Sequence, residues 1–202
     1  MGRSARTAIL VGLFALAGLG ACDGNDTETP AGATVPKATS STTPENQYAV
    51  PAAIDAAYLN KVFAALEHVD GDATRLIVAG KNLVPEAAKR LRAIYAEEEF
   101  NAQVNLWLDI IIEKRLDRLK PSPGDRSSVT TKVHTAAPEC VFVAVMRDYS
   151  PVAIAAGPPD LEYVTLRPVD PQRDPFDLNP TPWMIEAAGL RSDGSIASNP
   201  CA

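Results

Sequence analysis

Up to Leu119, apolar side chains recur at three- and four-residue spacing; beyond Gly124 the period falls to two. The first spacing is that of a helix with one buried face, the second that of a half-buried strand. Ile54, Tyr58, Val62, Phe63 and Leu66 predict an amphipathic helix from about Ala52 to His68. Asp70-Gly71-Asp72 predicts a turn after it, with Asp72 capping a short helix from Ala73 to Ala79 that Gly80 closes. Pro85 suits the first turn of a third helix, with Leu91, Ile94 and Tyr95 as its stripe. Glu97 to Asn101 either interrupts that run or continues it. Phe100, Val104, Trp107, Leu108, Ile111, Ile112 and Leu116 carry the same face toward Leu119, and Pro121-Ser122-Pro123-Gly124-Asp125 stops it.

Val129 to Thr135 reads as a strand with Val129, Thr131 and Val133 on one face. After a turn at Ala137-Pro138-Glu139, Cys140 to Met146 is apolar at nearly every position. A run without alternation predicts a central strand buried on both faces. Leu161 to Pro168 gives a third strand, with Tyr163 and Thr165 on one side, and Pro182 to Ala187 the last. A proline-rich loop, Asp170 to Pro180, separates those two, and Gly189 to Pro200 is a polar tail. Helices first and antiparallel strands second predict an α+β domain, a helical layer on a curved antiparallel sheet.

The N-terminus follows neither pattern. Arg3 and Arg6 precede an almost wholly apolar run, Thr7 to Ala17, and small residues lead to Cys22. This is the layout of a secretion signal. The run is shorter than the roughly 20 residues a membrane span requires. Leu19-Gly20-Ala21-Cys22 resembles the lipobox of bacterial lipoproteins, with Gly20 where Ala or Ser is commoner. The resemblance implies cleavage before Cys22 and a diacylglycerol on its sulfur. Two acyl chains give stable anchoring where one does not. An ordinary cleaved signal followed by a chance cysteine is the alternative.

Asp23 to about Asn46 is rich in Thr, Ser, Gly, Pro and Ala, with Val35 its one large aliphatic residue. Such a composition buries too little apolar surface to offset the entropy of ordering. The expected division is a signal over 1–21, a lipidated cysteine and tether over 22–47, and one domain over 48–202. A coil of that length spans about 25–30 Å. The chain carries a net charge of −6, and loss of Arg3 and Arg6 makes it two units more negative. An acidic domain without basic runs argues against nucleic acid as a partner. The expected partners are the membrane, through Cys22, and a protein of the envelope.

Export places Cys140 and Cys201 in an oxidising compartment, where thiols pair. With Cys22 occupied by lipid, one pairing is left, Cys140 to Cys201, closing a loop of about 60 residues. The alternative is two free thiols, with Cys140 buried as a small apolar residue.

The element order, and strand phrases such as Tyr163-Val164-Thr165-Leu166-Arg167 and Asn179-Pro180-Thr181-Pro182-Trp183-Met184-Ile185, resemble the NTF2-like (cystatin-like) fold over about Ala52 to Ala188. The chain also resembles the uncharacterised lipoprotein family of high-GC Gram-positive bacteria. NTF2-like domains often hold a cavity at the open end of a cone of helices, and some use an aspartate there for proton transfer. Asp109, Asp148 and Tyr163 are the candidates that the resemblance implies. The four-residue neighbours of Asp109, Asn105 and Glu113, are polar and place it on the outer side of its helix. Trp107, Tyr95, Phe142 and Trp183 either line a pocket or form core. His68 and His134 both read as solvent-facing. The sequence contains no nucleophile elbow, phosphate loop, dinucleotide fingerprint or metal-ligand spacing. The expectation is a non-catalytic binding or accessory module of the cell envelope, with no cofactor and no metal. The alternatives are an enzyme of isomerase or dehydratase type and a carrier for an apolar ligand.

Overall fold

The computed structural model describes residues 49–189 and 199–202. The expected signal over 1–21, Cys22 and the whole tether over 22–47, Tyr48, and residues 190–198 of the tail lie outside them. Helices α1 (Ala56–Gly80), α2 (Pro85–Ile94) and α3 (Glu97–Ile112) are followed by a 3-10 turn, Arg115–Arg118. Strands β1 (Ser127–Ala137), β2 (Cys140–Asp148), β3 (Asp160–Pro168) and β4 (Trp183–Gly189) then form an antiparallel sheet in the order β1-β2-β3-β4. The domain is therefore α+β, as its pattern predicts.

Asp55 starts α1 by accepting the Tyr58 N–H at 2.7 Å. Leu59, Val62, Phe63, Leu66, Val69, Ala73 and Ile77 then lie buried along one face. The turn and second short helix expected at Asp70-Gly71-Asp72 do not form; α1 runs through them. Gly71 serves close approach instead, since a Cβ there would lie 2.1 Å from Asp125 Oδ1. Glycine within a helix costs about 1 kcal/mol relative to alanine. Burying a single Leu or Ile contributes about 1.5–3 kcal/mol, so the continuous apolar face decides the outcome.

Tyr95 adopts an extended conformation (φ −112°, ψ 134°) that separates α2 from α3. Ala96 N–H donates to the Ile185 carbonyl at 2.9 Å, fastening this break to β4. The acidic triplet Glu97-Glu98-Glu99 is the first turn of α3, where the helix dipole favours carboxylates. Only Trp107 of α3 is fully buried, while Leu108 and Ile112 are exposed. The single apolar face expected through Leu116 is therefore only partly covered.

β2 lies between β1 and β3 and is buried at nearly every position, as expected. In β1 the register shifts between Thr130 and Lys132, so Val129 pairs with Met146 while Val133 pairs with Val143. The bulge moves the two valines to opposite faces; Val129 is exposed and Val133 packs on the core. Val141, Val143, Val145, Val164, Leu166, Trp183 and Ile185 join the buried helical residues in one cluster that fills the space between helices and sheet. Cys140 and Cys201 are disulfide-bonded with Cα atoms 5.6 Å apart. Asn199 Nδ2 also donates to Thr135 Oγ1 at 2.7 Å, so the chain end is tied to two strands.

Candidate functional site

Ionisable groups collect at one end of the sheet. Glu67 and Asp70 occupy positions on the buried face of α1 and are 2% and 8% exposed. Arg126 precedes β1, Arg147 ends the apolar run of β2, and Glu162 lies diagonally across from it on β3, opposite Val145. Arg147 Nη1 donates to Glu162 Oε2 at 2.5 Å, and Tyr149 Oη donates to Glu162 Oε1 at 2.7 Å. Arg147 Nε donates to Ser128 Oγ at 3.0 Å, and Ser128 Oγ in turn donates to Glu67. Arg126 Nη2 donates to Tyr95 Oη at 2.8 Å, and Tyr95 Oη donates to Asp70 Oδ1 at 2.9 Å. Arg126 also pairs with Asp70 at 3.5 Å and with Glu67 at 3.7 Å.

Burial and charge compete here. Burial raises the Glu67 pKa, and Arg126, Ser128 and Arg147 offset this only in part. Burial alone would lower the Arg126 pKa, but Asp70, Tyr95 and Glu67 outweigh it and hold the guanidinium charged. Burial also raises the phenol pKa of Tyr95 and of Tyr149. Among the described residues, Arg126 Nε and Arg147 Nη2 are buried without a hydrogen-bond acceptor.

Two adjoining clefts border the network. One, of about 150 Å³, is lined by Asp70, Arg126 and Tyr149 together with Trp107 of α3. The other, of about 210 Å³, is lined by Arg126, Arg147, Tyr149 and Glu162. Gln103 and Leu106 of α3 border both. Glu67 lines neither. The arrangement offers guanidinium and phenol donors beside carboxylates that are already hydrogen-bonded.

The residues singled out from the sequence do not gather here. Asp109 is exposed, as its neighbours suggest. Asp148 accepts from the backbone and hydroxyl of Ser150, at 2.7 and 2.9 Å. Tyr163 lies on the other face of the sheet, stacked on Phe142 at 5.9 Å between ring centroids. His134 joins those two rings at 5.3 and 5.9 Å and is half-buried, which corrects its solvent-facing assignment. Burial and the nearby Lys132 lower its pKa. His68 is largely exposed but bonds Asp125 at 2.8 Å. Tyr95 and Trp183 are core, and Trp107 lines the smaller cleft. Among the described residues no group of three metal-ligating side chains occurs.

Sequence reasoning passed over Glu67, Asp70, Arg126, Arg147 and Glu162. The signal for two of them was available. Glu67 and Asp70 continue the helical spacing of Phe63 and Leu66 toward Thr74 and Ile77, so they are charges on a buried stripe. Comparisons with protein families, with curated proteins and with solved structures return no match for this chain.

Proposed function

We propose that this chain is a lipid-anchored, non-catalytic binding or accessory module of the cell envelope. An NTF2-like domain over 48–202 stands on the outer face of the membrane, held through Cys22 and the tether over 22–47. The observation that carries the non-catalytic part is the state of the cleft carboxylates. Glu162 is held by Arg147 and Tyr149, and Asp70 by Tyr95 and Arg126. Glu67, whose raised pKa would suit a base, lines neither cleft. A general base must reach the proton it removes, and none of these carboxylates is both free and in reach. Among the described residues, these three carboxylates therefore give the enzyme alternative no free base. The carrier alternative keeps support from an apolar groove elsewhere on the domain.

The anchor is tested by mass spectrometry of the mature N-terminus. A diacylglyceryl-modified Cys22 is expected, and Cys22→Ala should leave the signal uncut and the protein without lipid. An unmodified or differently cut N-terminus refutes it. Binding is tested by thermal shift over a panel of small polar compounds, with Tyr149→Phe as the cleft control. A ligand of the cleft raises the melting temperature of the wild type more than that of the variant. A panel with no such compound counts against the cleft.

A further inference from the structure

The groove lies where the ends of α1 and α3 meet the 3-10 turn, and Leu119 divides it from the smaller cleft beside the charged network. Val78, Ile111, Leu116, Leu119, Pro121 and Ile154 give it an apolar floor and walls, and its volume is about 480 Å³. A second hollow of about 580 Å³ shares Asp117, Leu119 and Ile154 with it and extends it toward Ala155. Ile154, 61% exposed, lies on both hollows. The volume lies within the range of small-molecule sites, roughly 300–1,000 Å³.

Two lysines border the groove, Lys81 directly after α1 and Lys114 between α3 and the 3-10 turn. Both adopt the left-handed conformation, at φ 51° and 56°. Asp177 is the only other non-glycine described residue with positive φ. Helices commonly end in that conformation, but on glycine, because a Cβ is strained there. Gly80 stands one position too early to serve. A lysine near a helix C-terminus is favourable for the dipole, but it gains this anywhere in the last turn without left-handed strain. Strain of this kind, held twice at the border of one groove, points to a use for the two ammonium groups. Arg118 borders the extension, and Asp117 is the one carboxylate along both hollows. Positive charge thus collects around an apolar groove on a chain whose net charge is −6.

We propose that this groove binds one long-chain fatty acid, with its alkyl chain along Leu116, Leu119 and Ile154 and its carboxylate at Lys81 and Lys114. A concave groove takes a single chain, whereas a bilayer offers a flat array of heads, so the ligand is the free monomer. The proposal deepens the carrier alternative and does not depend on the anchor at Cys22.

The test is a fluorescence titration of the full chain carrying Cys22→Ala with cis-parinaric acid. Saturable binding of one ligand per chain is expected, reversed by palmitate and not by methyl palmitate. The double variant Lys81→Gly/Lys114→Gly removes both charges while suiting the left-handed backbone. It should bind parinarate at least tenfold more weakly and melt no lower than its parent, so that unfolding does not explain the loss. Ile154→Asp, at an exposed position, should weaken binding as much. Absence of saturable binding, equal affinity in the variants, or equal displacement by the methyl ester would overturn the proposal. So would sedimentation with phosphatidylglycerol vesicles that the lysine variant abolishes, without binding of the monomer. A lipidated Cys22 together with any of these results would leave the anchored module standing and remove only the fatty-acid site.

Discussion

Gly71→Ala separates a glycine kept for helix chemistry from one kept for a neighbour. Gly71 lies inside α1, where alanine is ordinarily better by about 1 kcal/mol. If only the helix mattered, the substitution would stabilise. The built Cβ, however, falls 2.1 Å from Asp125 Oδ1 and 3.0 Å from its Cγ. The carboxylate must leave, and with it go the bonds from Arg75 Nη1 at 2.7 Å and from His68 at 2.8 Å. These groups are a third or more exposed, so each pair is worth about 1 kcal/mol or less. Overpacking adds about 1–3 kcal/mol. Set against the gain in helix propensity, the expected net is a destabilisation of about 1–2 kcal/mol.

The assay is urea denaturation of four proteins: wild type, Gly71→Ala, Asp125→Ala and the double variant. In the Asp125→Ala background the obstruction is gone, and Gly71→Ala should stabilise by up to about 1 kcal/mol. The coupling between the sites is then about 2–3 kcal/mol, at the upper end of values for residues in contact. Equal effects of Gly71→Ala in both backgrounds, or stabilisation in the wild type, would refute the steric account.

Three further outcomes are expected. Cys201→Ser opens a loop of sequence separation 61 and should lower stability by up to about 4 kcal/mol, read by calorimetry; a melting curve unchanged by the substitution would exclude the bridge. Burial and Lys132 hold the His134 pKa below its ordinary value, so the unfolded chain takes up a proton first as pH falls through about 6.5. Stability contributed by neutral His134 is present above that pH and is lost on acidification toward the folded pKa; His134→Phe, which keeps a ring against Phe142 and Tyr163, should remove that part of the slope, and an unaltered slope would count against it. Arg147→Met strands Glu162 and should cost about 3–5 kcal/mol, while Arg147→Met/Glu162→Leu should recover most of it; a single variant as stable as the wild type would mean that the pair is not buried in solution.

What was legible in the chain were the patterns that a single element can express. Phe63 and Leu66 announce a helix, and Val141 to Val145 a central strand, because each element must hide its own apolar face. Errors arose where a distant residue decides the local structure. Asp70-Gly71-Asp72 has the composition of a turn, yet Tyr95 and Arg126 take up Asp70, Asp125 fills the space over Gly71, and Arg75 takes up Asp72. Tyr95, Asp125 and Arg126 lie 25 to 56 positions away, and no local propensity records them; only Arg75 is a local partner, three positions from Asp72. Val129 and Val133 show the same limit, since one bulge inverts the face of Lys132 and Val133 before a second, between Val133 and Thr135, restores it. Of the charged network, Glu67 and Asp70 betray themselves as charges on the buried stripe of α1, whereas Arg126, Arg147 and Glu162 each look alone like an ordinary surface charge.

That network also does something the apolar pattern of β2 cannot. A strand that is apolar on both faces has no preferred register, since a slip of one residue exchanges one set of buried side chains for another. From Cys140 to Val145 every side chain is buried, so a slip would leave that stretch nearly indifferent. Arg147 ends this indifference. In the observed register it meets Glu162 of β3, Ser128 of β1 and Glu67 of α1 at once. Moved by one position it would turn to the opposite face and leave Glu67 and Glu162 buried without it. A buried ion pair contributes little net stability over a hydrophobic pair of the same size, because desolvation offsets most of the attraction. Its contribution here is discrimination: the wrong register takes the guanidinium from buried Glu162 at several kcal/mol and leaves Glu67 only Arg126 and Ser128, whereas the right one pairs both carboxylates. A single arginine at the end of an otherwise uniform strand thus fixes where β1 and β3 pair with it, and so where the clefts beside Tyr149 open.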